Sequence, residues 1–436
     1  MSKLQAGFAR LDITPPLGVR LGGYYFERKA QDVIDPLYVN ALAFSDGENT
    51  AVVLVCDLLG IYNTQARTWA EEVGEKAGIP AEAVFLCHTH THTGPVICGV
   101  REPSDPQYDQ WIFRRLCDAA VMAMGDLKPV ISVRATEGES KGYAFSRRFK
   151  MKDGRYQTWA NYCDPDIVSY AGASDNSFRL VRMERDGGAE LVLVNYQVHP
   201  DTMSGDGISA DYPGVLREEI EKAHPGARCV FFDGAEGNMG TTDWWHGSDK
   251  RMKGKENAVR IGKLLAADVL KAYDAVKPVE GETVSFGQVL VPCKTKRDSS
   301  RIPEAERLIA LHEAGKDDDI GPDWIATPLV AEAYVLKRLE AGDLDQVEMK
   351  VSAVSVGGLA LLGIAGEPFC EIGIHIRENS PYAMTFVCCQ TNGCEGYYPT
   401  AEAYDQGGYE PRNTRFPKGI GEILQDAADD LLKRIK

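Results

Sequence analysis

A mixed α/β fold, with largely parallel sheets flanked by helices, is predicted by three observations. The first is a strand–helix–strand succession: the apolar run Ala51–Asp57, the helical stretch Thr64–Lys76 that stops at Gly78, and the apolar run Ala83–Cys87. Such a unit joins two parallel strands through a crossover helix. The second is its recurrence as Leu191–Tyr196, Pro213–Ala223 and Ala227–Phe232, with Pro213 suited to a first helical turn. The third is the long amphipathic helix Asn257–Ala275, whose stripe of Ala258, Ile261, Leu265, Val269 and Ala272 needs a partner face to cover it.

The remaining elements follow in order. Residues 1–36 are rich in Gly and Pro and are expected to be loops. Tyr38–Phe44 reads as a strand and Tyr108–Met124 as a helix. Phe178–Met183 and Leu191–Tyr196 form an antiparallel pair around Asp186-Gly187-Gly188. After Pro278, Thr283–Val291 alternates like a strand. Pro303–Ala314 and Leu329–Ala341 are charged helices flanking the Asp/Gly-rich loop Gly315–Pro322. Val351–Ser355, Leu359–Ile364 and Ala383–Cys389 return to strand, and Gly419–Ile435 is a terminal helix. One domain over 1–436, with a helical insertion at 300–345, is the expected organisation.

Composition narrows the function. A chain of 436 residues buries about three quarters of its extended surface, so no disulfide or metal is needed merely to fold. Hydrophobic residues at 44% and charged residues at 26% exclude a disordered or coiled-coil chain. A net charge of −16 repels phosphate backbones and anionic lipid heads, which argues against nucleic acid and against stable membrane association. The longest apolar runs fall far short of the ~20 residues of a membrane span, and the first residues carry no apolar signal segment. Eleven cysteines in no regular spacing, several inside apolar strands, fit reduced thiols and a cytoplasmic location. The sequence specifies no subunit count; the 300–345 insertion is a candidate for subunit contacts.

The chemistry concentrates at strand ends. Three of eight histidines stand in His88-Thr89-His90-Thr91-His92, directly after the strand Ala83–Cys87. In extended backbone alternate side chains share a face, so the three are expected to converge on a metal or substrate. His199 follows the strand Leu191–Tyr196, and Glu367 follows Leu359–Ala365. Ligands of open α/β sheets sit beyond the carboxyl ends of strands. Two histidines with one carboxylate make the donor set of a catalytic zinc site with a position left open; taken alone, the three clustered histidines read as functional rather than exposed loop residues, His199 reads more readily as structural, and Glu367 reads equally as a helix-start carboxylate. The turn Asp233-Gly234-Ala235-Glu236-Gly237-Asn238 offers backbone N–H groups for a developing oxyanion, or is a tight turn only. Tyr397 and Tyr398 lie after the strand ending at Cys389, as packing residues or as cation ligands. The chain has no Gly-x-Ser-x-Gly elbow, P-loop, Gly-x-Gly-x-x-Gly or Cys-x-x-Cys.

Segments spread over nearly the whole chain resemble the neutral/alkaline (non-lysosomal) ceramidase family in a short bacterial form. They are Gly7–Pro16, Asp35-Pro36-Leu37, Cys56-Asp57, Thr89–Pro95, Asn195–Pro200, Ser209–Gly214, Gly366-Glu367 and Asn392–Tyr404. The resemblance implies a ceramidase catalytic-domain-like fold, amide hydrolysis by metal-activated water, and Zn2+ held by His90, His199, Glu367 and Tyr397. It places His92 against the substrate carbonyl or the attacking water, with Tyr397 also in a catalytic role. His88, Asp57 and Asp211 are candidates for supporting the ligands. Arg147 and Arg148 are candidates for binding a polar or acidic substrate, and Gly234 and Asn238 for shaping the pocket.

Two departures bear on the substrate. The family's C-terminal sandwich domain has no counterpart after the terminal helix, and its Gly-Asp-x-Ser-Pro turn is replaced by Gly237-Asn-Met-Gly-Thr241. A small polar amide is therefore expected rather than ceramide. The leaving group is not written in the ligands, so a metal-dependent esterase or glycoside-cleaving enzyme is the alternative. An inactive metal- or ligand-binding protein is a third reading, and the presence of His92 weighs against it.

Overall fold

The computed structural model describes residues 3–97, 103–247 and 253–436. A nine-stranded sheet runs in the order Ala227–Asp233, Glu190–Tyr196, Ser177–Arg185, Lys128–Glu139, Gln5–Asp12, Tyr38–Ser45, Thr50–Cys56, Val84–His88, with Lys277–Pro278 pairing to the side. A four-stranded sheet runs Val284–Lys294, Gln346–Val356, Leu359–Ile364, Met384–Cys388. The period-2 pattern explains how they stack. Leu42, Phe44, Val53 and Val55 face the second sheet, meeting Val354, Leu361 and Phe386 in one core. Their neighbours Ala41, Ala43, Val52 and Leu54 face the helices Asn63–Ala77 and Pro106–Gly125. At the other end of the large sheet, Val192, Val194 and Phe231 pack on Asp211–Ala223 and Lys255–Ala272. Cys370–Asn379 and Ile420–Ile435 cover the outer face of the small sheet. The layers are helix, sheet, sheet, helix.

The mixed α/β class is as expected, but the balance within the sheets is not. Most neighbouring strands are antiparallel. The parallel pairs within the two main sheets are three: Thr50–Cys56 with Val84–His88, Glu190–Tyr196 with Ala227–Asp233, and Leu359–Ile364 with Met384–Cys388. Each is closed by one crossover helix, as the strand–helix–strand spacing requires. The sequence signal for parallel strands was real and local; hairpin-connected strands fill the rest.

The expected loop at 1–36 is corrected. Gln5–Asp12 is a strand in the middle of the large sheet, paired over all eight residues with Tyr38–Ser45. Gly7, which reads as a loop residue, is there because the helix Pro106–Gly125 presses on the strand: a Cβ at Gly7 would lie 1.9 Å from the Ala123 carbonyl oxygen. Between Val284–Lys294 and Gln346–Val356, which pair with each other, the chain makes two helices, Ile302–Glu313 and Asp323–Ala341, with a small core of Ala305, Leu308, Ala333 and Leu336. The second starts six residues before the expected Leu329, because Pro328 is tolerated inside it. The cysteines among the described residues are all free. Among these residues no helix is long and apolar enough to cross a membrane.

Candidate metal centre

All three crossover units deliver their strand ends to one place. His90 and His92 follow Val84–His88, and His199 follows Glu190–Tyr196. Glu236 follows Ala227–Asp233, Glu367 follows Leu359–Ile364, and Tyr397 follows Met384–Cys388. Glu367 and Tyr397 are direct partners in a two-residue parallel ladder.

Four of these side chains form a buried cluster. His90 Nδ1 donates to the Leu59 carbonyl at 2.7 Å. That hydrogen bond fixes the tautomer and leaves Nε2 with a bare lone pair. Nε2 lies 3.7 Å from Glu236 Oε1 and 3.8 Å from Glu367 Oε2. His199 Nε2 lies 3.6 Å from Glu367 Oε2, and its Nδ1 lies 3.4 Å from Glu236 Oε2. His90, His199, Glu236 and Glu367 each offer a donor atom, all within 4.8 Å of one another; His90, His92 and His199 form an overlapping set. His199 Nε2, Glu367 Oε2 and both Glu236 carboxylate oxygens are buried without a hydrogen-bond partner. Lone pairs stripped of water and aimed at one another are costly unless a cation fills the gap. Imidazole nitrogens with carboxylate oxygens are the donor types zinc takes, so the residues fit the expected metal.

Burial dominates the electrostatics. It drives His92 and His199 well below the usual imidazole range, and at His199 the Arg147 charge adds to it, so both rings are neutral donors. Glu236 is pushed well above the usual carboxyl range by burial and then by the charge of Asp233. Asp233 is also raised well above its usual range, chiefly by burial. Tyr397 is raised by burial and then by Glu367. His92 Nε2 stands 3.3 Å from His90 Nε2, and its Nδ1 faces Asp201 Oδ1 at 3.8 Å. Asp201 is held by the Tyr24 hydroxyl and by Lys253 Nζ at 2.6 Å.

Several expectations need correction. His88 does not join the cluster: its Nδ1 bonds the Gln390 carbonyl at 2.7 Å, and it appears in neither donor group. Strand alternation ends at His90, whose φ of 60° is left-handed, so the two remaining rings turn towards each other. Asp57 touches no histidine of the cluster. It takes a double hydrogen bond from Arg217 at 2.7 and 2.6 Å and accepts from Thr89 Oγ1 at 3.3 Å, bracing the loop from behind. Asp211 accepts from the Thr202 and Met203 N–H groups and sets the loop after His199; burial raises it to about 6.

Arg147 and Arg148 do not form an open basic turn. Both are buried on Glu410, with Arg147 at 2.9 Å and Arg148 at 3.0 Å. Arg147 also lies 5.5 Å from the Tyr397 ring centre. The Gly234 N–H donates to the Tyr196 carbonyl, so it offers nothing to an oxyanion. Asn238 is spent on Glu371 and on the Cys370 N–H. Glu236 was overlooked because its turn reads as a backbone feature; an acid three residues beyond a strand end, like Glu367, was the available signal. Asp201 lies five residues beyond the strand end at Tyr196, beside His199-Pro200. Tyr24 and Lys253 carry no such signal.

Two solved structures share this arrangement of strands and helices. One is a neutral ceramidase from Pseudomonas aeruginosa, at TM-score 0.74 and 18% identity, covering 100% of this chain and 75% of that one. The other is a ceramidase complexed with C2, at TM-score 0.72 and 18% identity, covering 100% of this chain and 76% of that one. The fold is that of the neutral ceramidases. No protein-family model and no curated protein matches the sequence. The resemblance read from scattered motifs thus holds in three dimensions at the level of the ceramidase fold.

An aromatic chain runs from the centre to the inserted helices. Tyr397 packs edge-on against Tyr409 at 5.6 Å, Tyr409 shares a 3.1 Å hydroxyl contact with Tyr25, and Tyr25 stacks on Tyr334 at 6.0 Å. The 323–341 helix is therefore joined, through Tyr334, to an aromatic chain that ends at Tyr397.

Proposed function

We propose that the protein is a zinc-dependent hydrolase that cleaves the amide bond of a small polar molecule, acting as one catalytic unit over its whole length, in the cytoplasm. The observation that carries this reading is the convergence of buried donor atoms of His90, His199, Glu236 and Glu367, those of the last three without a hydrogen-bond partner, with His92 beside them. His90, His199, Glu367 and Tyr397 hold the metal, and Glu236 is a further oxygen donor. When bound, the metal lowers the pKa of water to about 7 and polarises the scissile carbonyl.

The chain's own groups do the rest. His92 is neutral, so Nε2 is free to take a proton from water and pass it to the departing nitrogen. Asp201, fixed by Tyr24 and Lys253, faces Nδ1 and favours the proton there. Arg147 sits beside Tyr397 and orients its ring.

The test is elemental analysis of the purified protein followed by matched amide, ester and glycoside chromogenic substrates. About one zinc per chain, with turnover of amides only, is the expected result. A protein that takes up no metal on addition, or that turns over esters and not amides, overturns it.

A further inference from the structure

The metal centre is not the only place where a buried charge lacks a partner. A cavity of about 470 Å³ opens between the helix Asn63–Ala77 and the strands Val284–Lys294 and Gln346–Val356. Lys350 lines it and is only 8% exposed. No acceptor or carboxylate among the described residues lies within hydrogen-bond or ion-pair reach of its amine. Burial, and then the charge of Arg67, lowers the Lys350 pKa. Arg67 lines the same cavity from the first turns of the helix. It too has no ion-pair partner.

The helix itself opens onto the cavity through Tyr62, Asn63 and Thr64, and its first N–H, at Asn63, donates to Glu395 Oε1 at 3.4 Å. Its dipole adds to the two cations. The acids of the cavity do not cancel this charge. Glu395 is committed to Arg415 and to the Asn63 N–H, and the exposed Glu71 and Glu348 offset the Lys350 charge less than burial and Arg67 oppose it. Apolar wall is supplied by Ala70, Leu290 and Leu339. In a chain of net charge −16, a largely buried lysine with an arginine lining the same cavity selects an anion.

We propose that this cavity is a second ligand site, for a small organic carboxylate. Its anionic group is taken by Lys350 Nζ and Arg67, and its apolar body lies against Leu290 and Leu339. The site uses none of the proposed metal ligands, so it stands or falls independently of the hydrolase reading.

The test is calorimetric titration of the metal-loaded full chain with sodium hexanoate at low salt. One site per chain is expected. Lys350→Met and Arg67→Gln should each weaken binding about tenfold or more, a loss of at least about 1.4 kcal/mol, with metal content unchanged. Hexanamide, which keeps the shape without the charge, should bind about tenfold more weakly than hexanoate. Arg67→Gln lies on an exposed helix face and keeps the test open if Lys350→Met fails to fold. The proposal fails if wild type takes up no hexanoate at millimolar concentration, if neither variant weakens it, or if hexanamide binds as tightly. Inorganic phosphate binding more tightly than hexanoate would overturn the carboxylate assignment.

Discussion

His92 Nε2 lies 3.3 Å from His90 Nε2, although in a strand the side chains of residues two apart stand roughly 7 Å apart. The left-handed turn at His90 closes that gap: His90 belongs to both donor groups, whereas His92 belongs only to the one without the glutamates. His90→Ala and His199→Ala are expected to abolish metal retention. His92→Ala is expected to keep the metal and lower kcat by about 10²–10⁴-fold. Metal content and kcat measured side by side on the three variants check this.

Asp201→Asn is expected to keep the metal and lower kcat about 10–100-fold, because an amide no longer fixes the His92 proton on Nδ1. A merely structural role would leave the pH profile in place. Here the acidic limb of kcat/KM should shift, since Asp201 is the carboxylate that opposes the depression of the His92 pKa.

Glu236 and Asp233 give the metal-free protein a stability that depends on pH. Both carboxyls are raised in the folded chain, so they favour folding at low pH and lose that contribution as pH rises above their unfolded values of 4.5 and 3.8. The depressed His92 and His199 act in the opposite sense below 6.5 and are silent above it. Above pH 6.5 the unfolding free energy of chelator-treated protein should therefore fall as pH rises, by up to about 1.4 kcal/mol per pH unit per carboxyl, and its melting temperature with it. Glu236→Gln should flatten that fall, and added zinc should abolish it. A thermal melt series with and without metal reads both effects.

Arg217 and Asp57 are both fully enclosed, and their double hydrogen bond stands behind Thr89. Removing one partner strands the other charge. Arg217→Met is expected to cost about 3–5 kcal/mol in urea unfolding. Weakened metal retention should accompany it even though Arg217 touches no ligand.

Much of this architecture was legible. Two of the three strand–helix–strand units stood out because apolar runs of period 2 alternate with stretches of period 3.6, and they carry His90 and His199 to one point; in the third, which carries Glu367, the strands were read but not the helix Cys370–Asn379 between them. What escaped detection depends on distant partners. Gln5–Asp12 carries a Gly that marks a loop until the Ala123 carbonyl is seen against it. Arg147 and Arg148 look like a solvated turn until Glu410, more than 250 residues away, takes both. His88 looks like a ligand until the backbone turn at His90 separates it from its neighbours.

The donors come from different sheets: His90 and His199 from the nine-stranded one, Glu367 from the end of a strand in the four-stranded one. A metal held by all three is a clamp across the sandwich as well as a reaction centre. By mass action, at a hundred times its dissociation constant it adds about 2.7 kcal/mol to the folded state. That contribution acts on the seam between the sheets, not on either sheet alone. Chelation should then first loosen the packing of Phe232 against Phe386, and proteolysis of the chelated protein should begin in segments that bridge the two sheets. On the proposed zinc reading, metal starvation would cost the fold as well as the reaction.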